Sequence, residues 1–300
     1  MTPTLTPKSP FDSDCLKGKV ALITGGGSGI GYQISLALLN HGVDCAVICG
    51  RRLRFLQRAC ESLTNATGKR VLYQCIDVRD AQSCVDAVNF TLEKCGRLDI
   101  LVNGAAGNFL SEAKSLKPKG FKTVMDIDAV GTFNLCHAAF DSLVQSKGCV
   151  INISATLQYG ATWWQAHASA AKSAVDSLTR SLALEWGHYG IRVNGIAPGP
   201  IANTPGTTKL APGMTGEDVD SMVSEAIPIG RMGQGFDIGL AVIYLSNDVS
   251  GGFVTGNTLV VDGGQWLYKE PMIEREMVSE ISRRVEKQSR EMQPTILSKL

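Results

Sequence analysis

Val20-Ala21-Leu22-Ile23-Thr24-Gly25-Gly26-Gly27-Ser28-Gly29-Ile30-Gly31 decides the fold. An apolar run short enough for a buried strand empties into a glycine turn, and a helical pattern over Ile30–His41 follows. Glycines let the backbone approach a pyrophosphate, while the helix N-terminus supplies N–H donors and positive potential. Gly25, Gly27, Ser28, Gly29, Ile30 and Gly31 are therefore candidate phosphate contacts. A glycine-rich packing turn is the rival reading, and the flanking strand and helix weigh against it.

The same alternation continues outward in both directions. Strands are predicted at Val20–Thr24, Cys45–Cys49, Val71–Asp77, Ile100–Asn103, Val150–Ser154, Arg192–Ala197 and Thr258–Val261. Helices are predicted at Leu53–Thr67, Ala81–Cys95, Phe121–Val144, His167–Gly187 and Phe236–Leu245. Short apolar runs separated by amphipathic stretches suit strands buried on both faces, joined by right-handed crossovers. The expected fold is a single Rossmann-type, doubly wound α/β domain with a seven-stranded, mostly parallel sheet flanked by helices. Its expected limits are 16–270, after a loose leader at 1–15 and before a charged tail at 271–300, helical over Ile273–Arg290. Pro198–Thr215, rich in Pro, Gly and Thr after a strand end, reads as a mobile lid over a ligand.

Bulk properties remove several classes. The chain has 300 residues, 44% of them hydrophobic, enough for one large core. A net charge of +1 leaves no nucleic-acid footprint. No apolar run reaches the ~20 residues that span a bilayer, and no secretory signal opens the chain. Nine cysteines form no CxxC pair, so buried packing is a better reading than disulfides or a metal site.

The second strand end selects the dinucleotide. A carboxylate there would hold a ribose 2′-hydroxyl, but this chain offers Gly50-Arg51-Arg52. Guanidinium groups pair with a 2′-phosphate in two-pronged fashion, so Arg51 and Arg52 favour NADPH. Asp77 and Val78 close the third strand, where a carboxylate suits an adenine amino group. Asn103 and Ala105 open the small-residue turn after the fourth.

With these motifs in place, the chain resembles the short-chain dehydrogenases/reductases over about residues 16–266. The resemblance is carried by Thr24–Gly31, Asn103-Gly104-Ala105-Ala106-Gly107, Ile191-Arg192-Val193-Asn194, Pro198-Gly199-Pro200 and Val261-Asp262-Gly263-Gly264. It implies Pro198, Gly199 and Ile201 as further cofactor contacts and Lys172 as a ligand of the nicotinamide ribose. Members of the family carry Tyr-x-x-x-Lys on the long helix after the fifth strand, with a Ser thirteen residues before the Tyr. Here Lys172 is present, but Ala168 stands at the Tyr position and Ala155, one past Ser154, at the Ser position. Asp128 replaces the usual Asn of the preceding long helix.

Losing Tyr and Ser removes the means of reducing a ketone while leaving hydride transfer possible. That pattern resembles the peroxisomal branch of the 2,4-dienoyl-CoA reductases, matched at Ala105–Leu110, Phe121–Asp128 and Ala183–Gly187. The mitochondrial branch uses a Tyr fifteen residues before the Lys, where this chain has Leu157. The resemblance implies a fatty acyl-CoA substrate and a catalytic pair, Asp128 and Lys172, holding the water that protonates a dienolate. It also implies a homotetramer. Arg51, Arg79, Lys117, Lys119 and Lys209 fall on the CoA side, Phe109 against the thioester, and Trp163 and Trp164 near the acyl chain. A reductase of 3-ketoacyl-CoA or another carbonyl, using Tyr159 as acid, and a catalytically silent NADP-binding protein remain as alternatives. The chain ends Ser298-Lys299-Leu300, the tripeptide read by the peroxisomal import receptor.

Overall fold

Seven strands lie side by side in the order β3-β2-β1-β4-β5-β6-β7, and every pairing is parallel. The sheet is thus parallel throughout the described residues, rather than mostly so. The computed structural model describes residues 8–204, 206, 223 and 226–291. Its strands are β1 (Val20–Thr24), β2 (Cys45–Gly50), β3 (Arg70–Cys75), β4 (Ile100–Asn103), β5 (Cys149–Ile153), β6 (Arg192–Pro198) and β7 (Thr258–Val261). Each predicted strand is found within two residues of its expected ends.

Alternation along the strands builds two apolar layers. Ala21, Ile23, Ala46, Ile48, Val102 and Ile151 pack under α1 (Gly29–Asn40), α2 (Leu53–Thr67) and α7 (Gly235–Ser246). Leu22, Val47, Cys49, Leu101 and Val150 face α3 (Ala81–Cys95), α5 (Gly131–Ser146) and α6 (Ala166–Trp186). Because successive side chains point to opposite faces, a strand covered on both sides must be apolar at nearly every position. β1, β2, β4 and β5 are accordingly apolar except at their carboxyl ends and at Asn152.

One predicted helix differs in form. The stretch expected as a single helix over Phe121–Val144 comprises α4 (Pro118–Met125), a π-helical turn at Asp126–Val130 and then α5. Such wide turns insert one residue into the helical ladder and re-aim the side chains beside them. Gly131 follows directly, and a Cβ there would lie 2.5 Å from Val78 Cγ2, so only glycine lets the turn dock on the end of the third βα unit.

The chain divides into two units, 1–266 and 267–300. In the second, α8 (Val278–Glu291) begins five residues later than the helical composition predicts, after a 3-10 turn at Arg275–Met277. All but one of its residues are exposed, and it is laced by Arg290–Glu286 and Lys287–Glu291 pairs four residues apart. Residues 1–7 of the expected leader, Lys209, most of the predicted lid and Ser298-Lys299-Leu300 lie outside the described residues. No described helix is long and apolar enough to cross a membrane.

Candidate active site

A cleft opens at the carboxyl ends of β1, β2, β4 and β5, where the strand order reverses direction between β1 and β4. Open α/β sheets take ligands at this switch point. The glycine turn forms one wall. Gly25 sits at φ +70°, and a Cβ on it would come within 2.6 Å of the Gly104 carbonyl oxygen. A Cβ on Gly31 would collide with the Gly25 carbonyl. Thr24 Oγ1 locks the two turns together by accepting from Gly104 N at 3.0 Å and Ala105 N at 3.1 Å.

These residues fit a dinucleotide phosphate. Ser28, the N-cap of α1, makes no side-chain cap, and no acidic residue stands in the first turn. The helix therefore presents uncapped N–H donors with no competing negative charge. Arg51 and Arg52 border the same cleft, and the Arg52 guanidinium lies 4.0 Å from the Phe55 ring centroid. A cation over an aromatic face forms a ready shelf beside the arginines. Asp77 also lines the cleft, but Arg79 engages both of its oxygens, with Nε–O distances of 2.9 and 3.1 Å. The hydrogen bond from Arg79 holds the Asp77 carboxyl below its usual range.

The candidate catalytic pair, Lys172 and Asp128, meets at this cleft. Lys172 projects from α6, lines the cleft, and donates to the Ile153 carbonyl at 2.9 Å. Its Nζ lies 3.0 Å from Asp128 Oδ2, behind it. Asp128 comes from the π-helical turn, is 1% exposed, and accepts from Gly107 N at 2.7 Å through Oδ1. No aligned hydrogen-bond donor reaches its Oδ2 among the described residues, leaving lone-pair capacity at the buried end of the pair. Ala168 is buried against Val124 and Ala171, so an apolar surface stands where a phenol would need room.

Three neighbours escaped the sequence reading. His167 is fully buried, its ring tilted over Phe109 with centroids 4.2 Å apart, and neither ring nitrogen makes a hydrogen bond among the described residues. Burial pushes its pKa down, opposed by the nearby Phe109 backbone and the Asp128 charge. Asp176, one helical turn after Lys172, accepts from Gln158 Nε2 at 2.6 Å. That same nitrogen lies 3.1 Å from Ser154 Oγ, and Ser154 lines the cleft. The four-residue spacing of Lys172 and Asp176 was a usable signal; no local pattern marks Gln158.

The remaining candidates are scattered. Gly25, Gly27, Ser28, Gly29, Ile30, Gly31, Val78 and Ala105 line the cleft. Asn103 turns inward instead, donating to Asn152 Oδ1 at 2.9 Å, and neither it nor Pro198, Gly199 or Ile201 borders the cleft. Lys117 and Lys119 stand at the start of α4. Trp163 and Trp164 are 81% and 53% exposed and line a second hollow with Ser111–Lys114. Tyr159 packs edge-on against Trp266 at 5.5 Å, and burial raises its pKa. It is held away from the cleft lining and made a poorer acid, the opposite of what the carbonyl-reductase alternative needs. No group of three or more metal-ligating side chains occurs among the described residues.

A family model described as enoyl-(acyl carrier protein) reductase matches residues 25–265. A peroxisomal 2,4-dienoyl-CoA reductase, (3E)-enoyl-CoA-producing, from Arabidopsis thaliana is 50% identical over 292 residues, covering 94% of this chain and 96% of its own. A protein of the same description from Danio rerio is 45% identical, covering 88% and 87%. A solved short chain dehydrogenase from Bacillus anthracis superposes with a TM-score of 0.73 at 34% identity, covering 84% of this chain and 98% of that one.

Proposed function

The chain belongs to the short-chain dehydrogenase/reductase family, and on that premise we propose that it reduces 2,4-dienoyl-CoA esters to 3-enoyl-CoA with NADPH. The observation that carries this reading is the buried Asp128–Lys172 pair beside two alanines, Ala168 and Ala155, where a ketone-reducing site needs hydroxyls. The reading extends to a homotetramer in the peroxisome, brought there by Ser298-Lys299-Leu300 and its import receptor.

NADPH, when bound, supplies hydride to the far carbon of the diene. The protein does the rest. Arg51 and Arg52 would grip the 2′-phosphate, and the α1 N-terminus would cradle the pyrophosphate. Lys172 would hold the nicotinamide ribose from its place in the cleft. The reduced substrate would carry its charge on the thioester oxygen as a dienolate, which needs a proton at C2 rather than at oxygen. Asp128, with Lys172, holds a water that gives that proton. The Lys172 ammonium replaces the proton lost by the water and is itself reprotonated from solvent. Phe109 borders the thioester, and Lys117 and Lys119, which pair with no carboxylate among the described residues, face the CoA phosphates.

The test is Asp128→Asn. Dienoyl-CoA turnover should fall by about 10²–10⁴-fold, the usual worth of a positioned acid–base group, while NADPH titration is unchanged. The wild-type product should carry its double bond at C3 by NMR. Undiminished turnover in the variant, or a product unsaturated at C2, would refute the proton-delivery scheme.

A further inference from the structure

Ser154, Gln158 and Asp176 form a chain of hydrogen bonds whose last donor has no acceptor among the described residues. Asp176 is 5% exposed, and Thr258 Oγ1 reaches its Oδ1 at 3.3 Å. Its Oδ2 lies 2.6 Å from one terminal atom of the Gln158 amide. A carboxylate only accepts, so the amide atom facing it has to be the nitrogen. The second hydrogen of that nitrogen points to Ser154 Oγ at 3.1 Å, which makes Ser154 the acceptor there. The hydroxyl hydrogen of Ser154 is then left over, and no described residue accepts it. Ser154 is itself 4% exposed, lines the cleft beside Lys172, and is fixed by its backbone N–H donating to the Ile196 carbonyl at 2.7 Å.

A hydroxyl whose lone pair is occupied from behind is a donor aimed forward. We infer that Ser154 donates its hydrogen to the thioester oxygen of the substrate, with Gln158 and Asp176 as positioning residues that fix its direction. The inference rests on the dienoyl-CoA reading. It supplies what that reading otherwise lacks, a group that holds the oxygen where the dienolate charge gathers. The hydrogen stays on Ser154 throughout; the bond shortens as the oxygen becomes negative, so it favours the transition state over the ground state. Ala155 removes the hydroxyl the wider family uses, and this chain instead places one a residue earlier. The same chain of bonds explains why the Gln158 side chain reaches across to α6.

The experiment compares Ser154→Ala, Ser154→Thr and Gln158→Leu with wild type. It uses a 2,4-dienoyl-CoA with NADPH and measures NADPH affinity separately by fluorescence titration. Ser154→Ala should lose about 10²–10³-fold in kcat, the range for one oxyanion donor, with NADPH affinity held within twofold. Ser154→Thr, which keeps the hydroxyl, should recover most of the rate. Gln158→Leu leaves Ser154 in place and should lower kcat by a smaller factor with KM little changed, because the donor is present but no longer directed. An unchanged kcat in Ser154→Ala, or a loss that follows NADPH affinity instead, would overturn the inference while leaving the dienoyl-CoA reading intact. A wild-type protein inert toward the dienoyl ester would remove that reading first, and the inference with it.

Discussion

Asp128 shows how much one side chain can carry. Its carboxylate is buried, held by the Gly107 N–H on one oxygen and by Lys172 on the other. Removing one partner of a buried pair strands the other charge, at a cost of about 3–5 kcal/mol. Lys172→Met should therefore lower the melting temperature as well as abolish turnover, which a thermal melt beside an activity assay would check. His167 yields a prediction about pH. Burial depresses its pKa from 6.5, so the unfolded chain binds its proton more readily than the folded one. The stability this group contributes is fully present above about pH 6.5 and is lost as pH falls through the depressed value. In His167→Phe, that part of the acid-side decline should vanish in urea melts taken between pH 7 and pH 5. Asp128 and Lys172 could be singled out in the chain because the family resemblance marks their positions. His167 could not, since its environment comes from Phe109, fifty-eight residues away in the chain and above it only once the loop folds over α6.

Among the elements, the π-helical turn and the glycine turn matter most to the site. Gly131 lets the π turn seat on Val78 and so sets where Asp128 points. Gly131→Ala forces that contact apart; overpacking of this kind costs about 1–3 kcal/mol. Turnover should drop more than stability does, which paired thermal melts and kcat measurements would show. Gly25→Ala should cut NADPH affinity, because its φ of +70° and its approach to Gly104 both exclude a Cβ. The glycine turn could be read from the chain, since a strand, a glycine cluster and a helix in sequence have few other uses. The π turn could not. Asp126–Val130 has the composition of ordinary helix, and its widening depends on the Gly107 strap and Val78, which lie far off in sequence. The mostly parallel sheet was an understatement for a related reason: pairing direction at the edge strand β7 is a tertiary fact.

At the scale of the molecule, the sheet order brings β1, β4 and β5 together, so residues near 25, 105, 154 and 172 share one cleft. This much follows from counting βα units, because right-handed crossovers leave few other arrangements. The substrate side was harder to read. Trp163 and Trp164 line a separate hollow, and Arg79 is engaged by Asp77, because side-chain pairing within loops has no periodic signature. The basic end of β2 gives a prediction for the whole cofactor. Arg51→Ala with Arg52→Ala should weaken NADPH binding much more than NADH binding, and equal losses would contradict the 2′-phosphate assignment. The measurement that bears most directly on the account is NADPH oxidation by the purified protein with a medium-chain 2,4-dienoyl-CoA, run beside a 3-ketoacyl-CoA. The account predicts turnover of the dienoyl ester and none of the ketoacyl ester; reduction of the ketoacyl ester alone would contradict it.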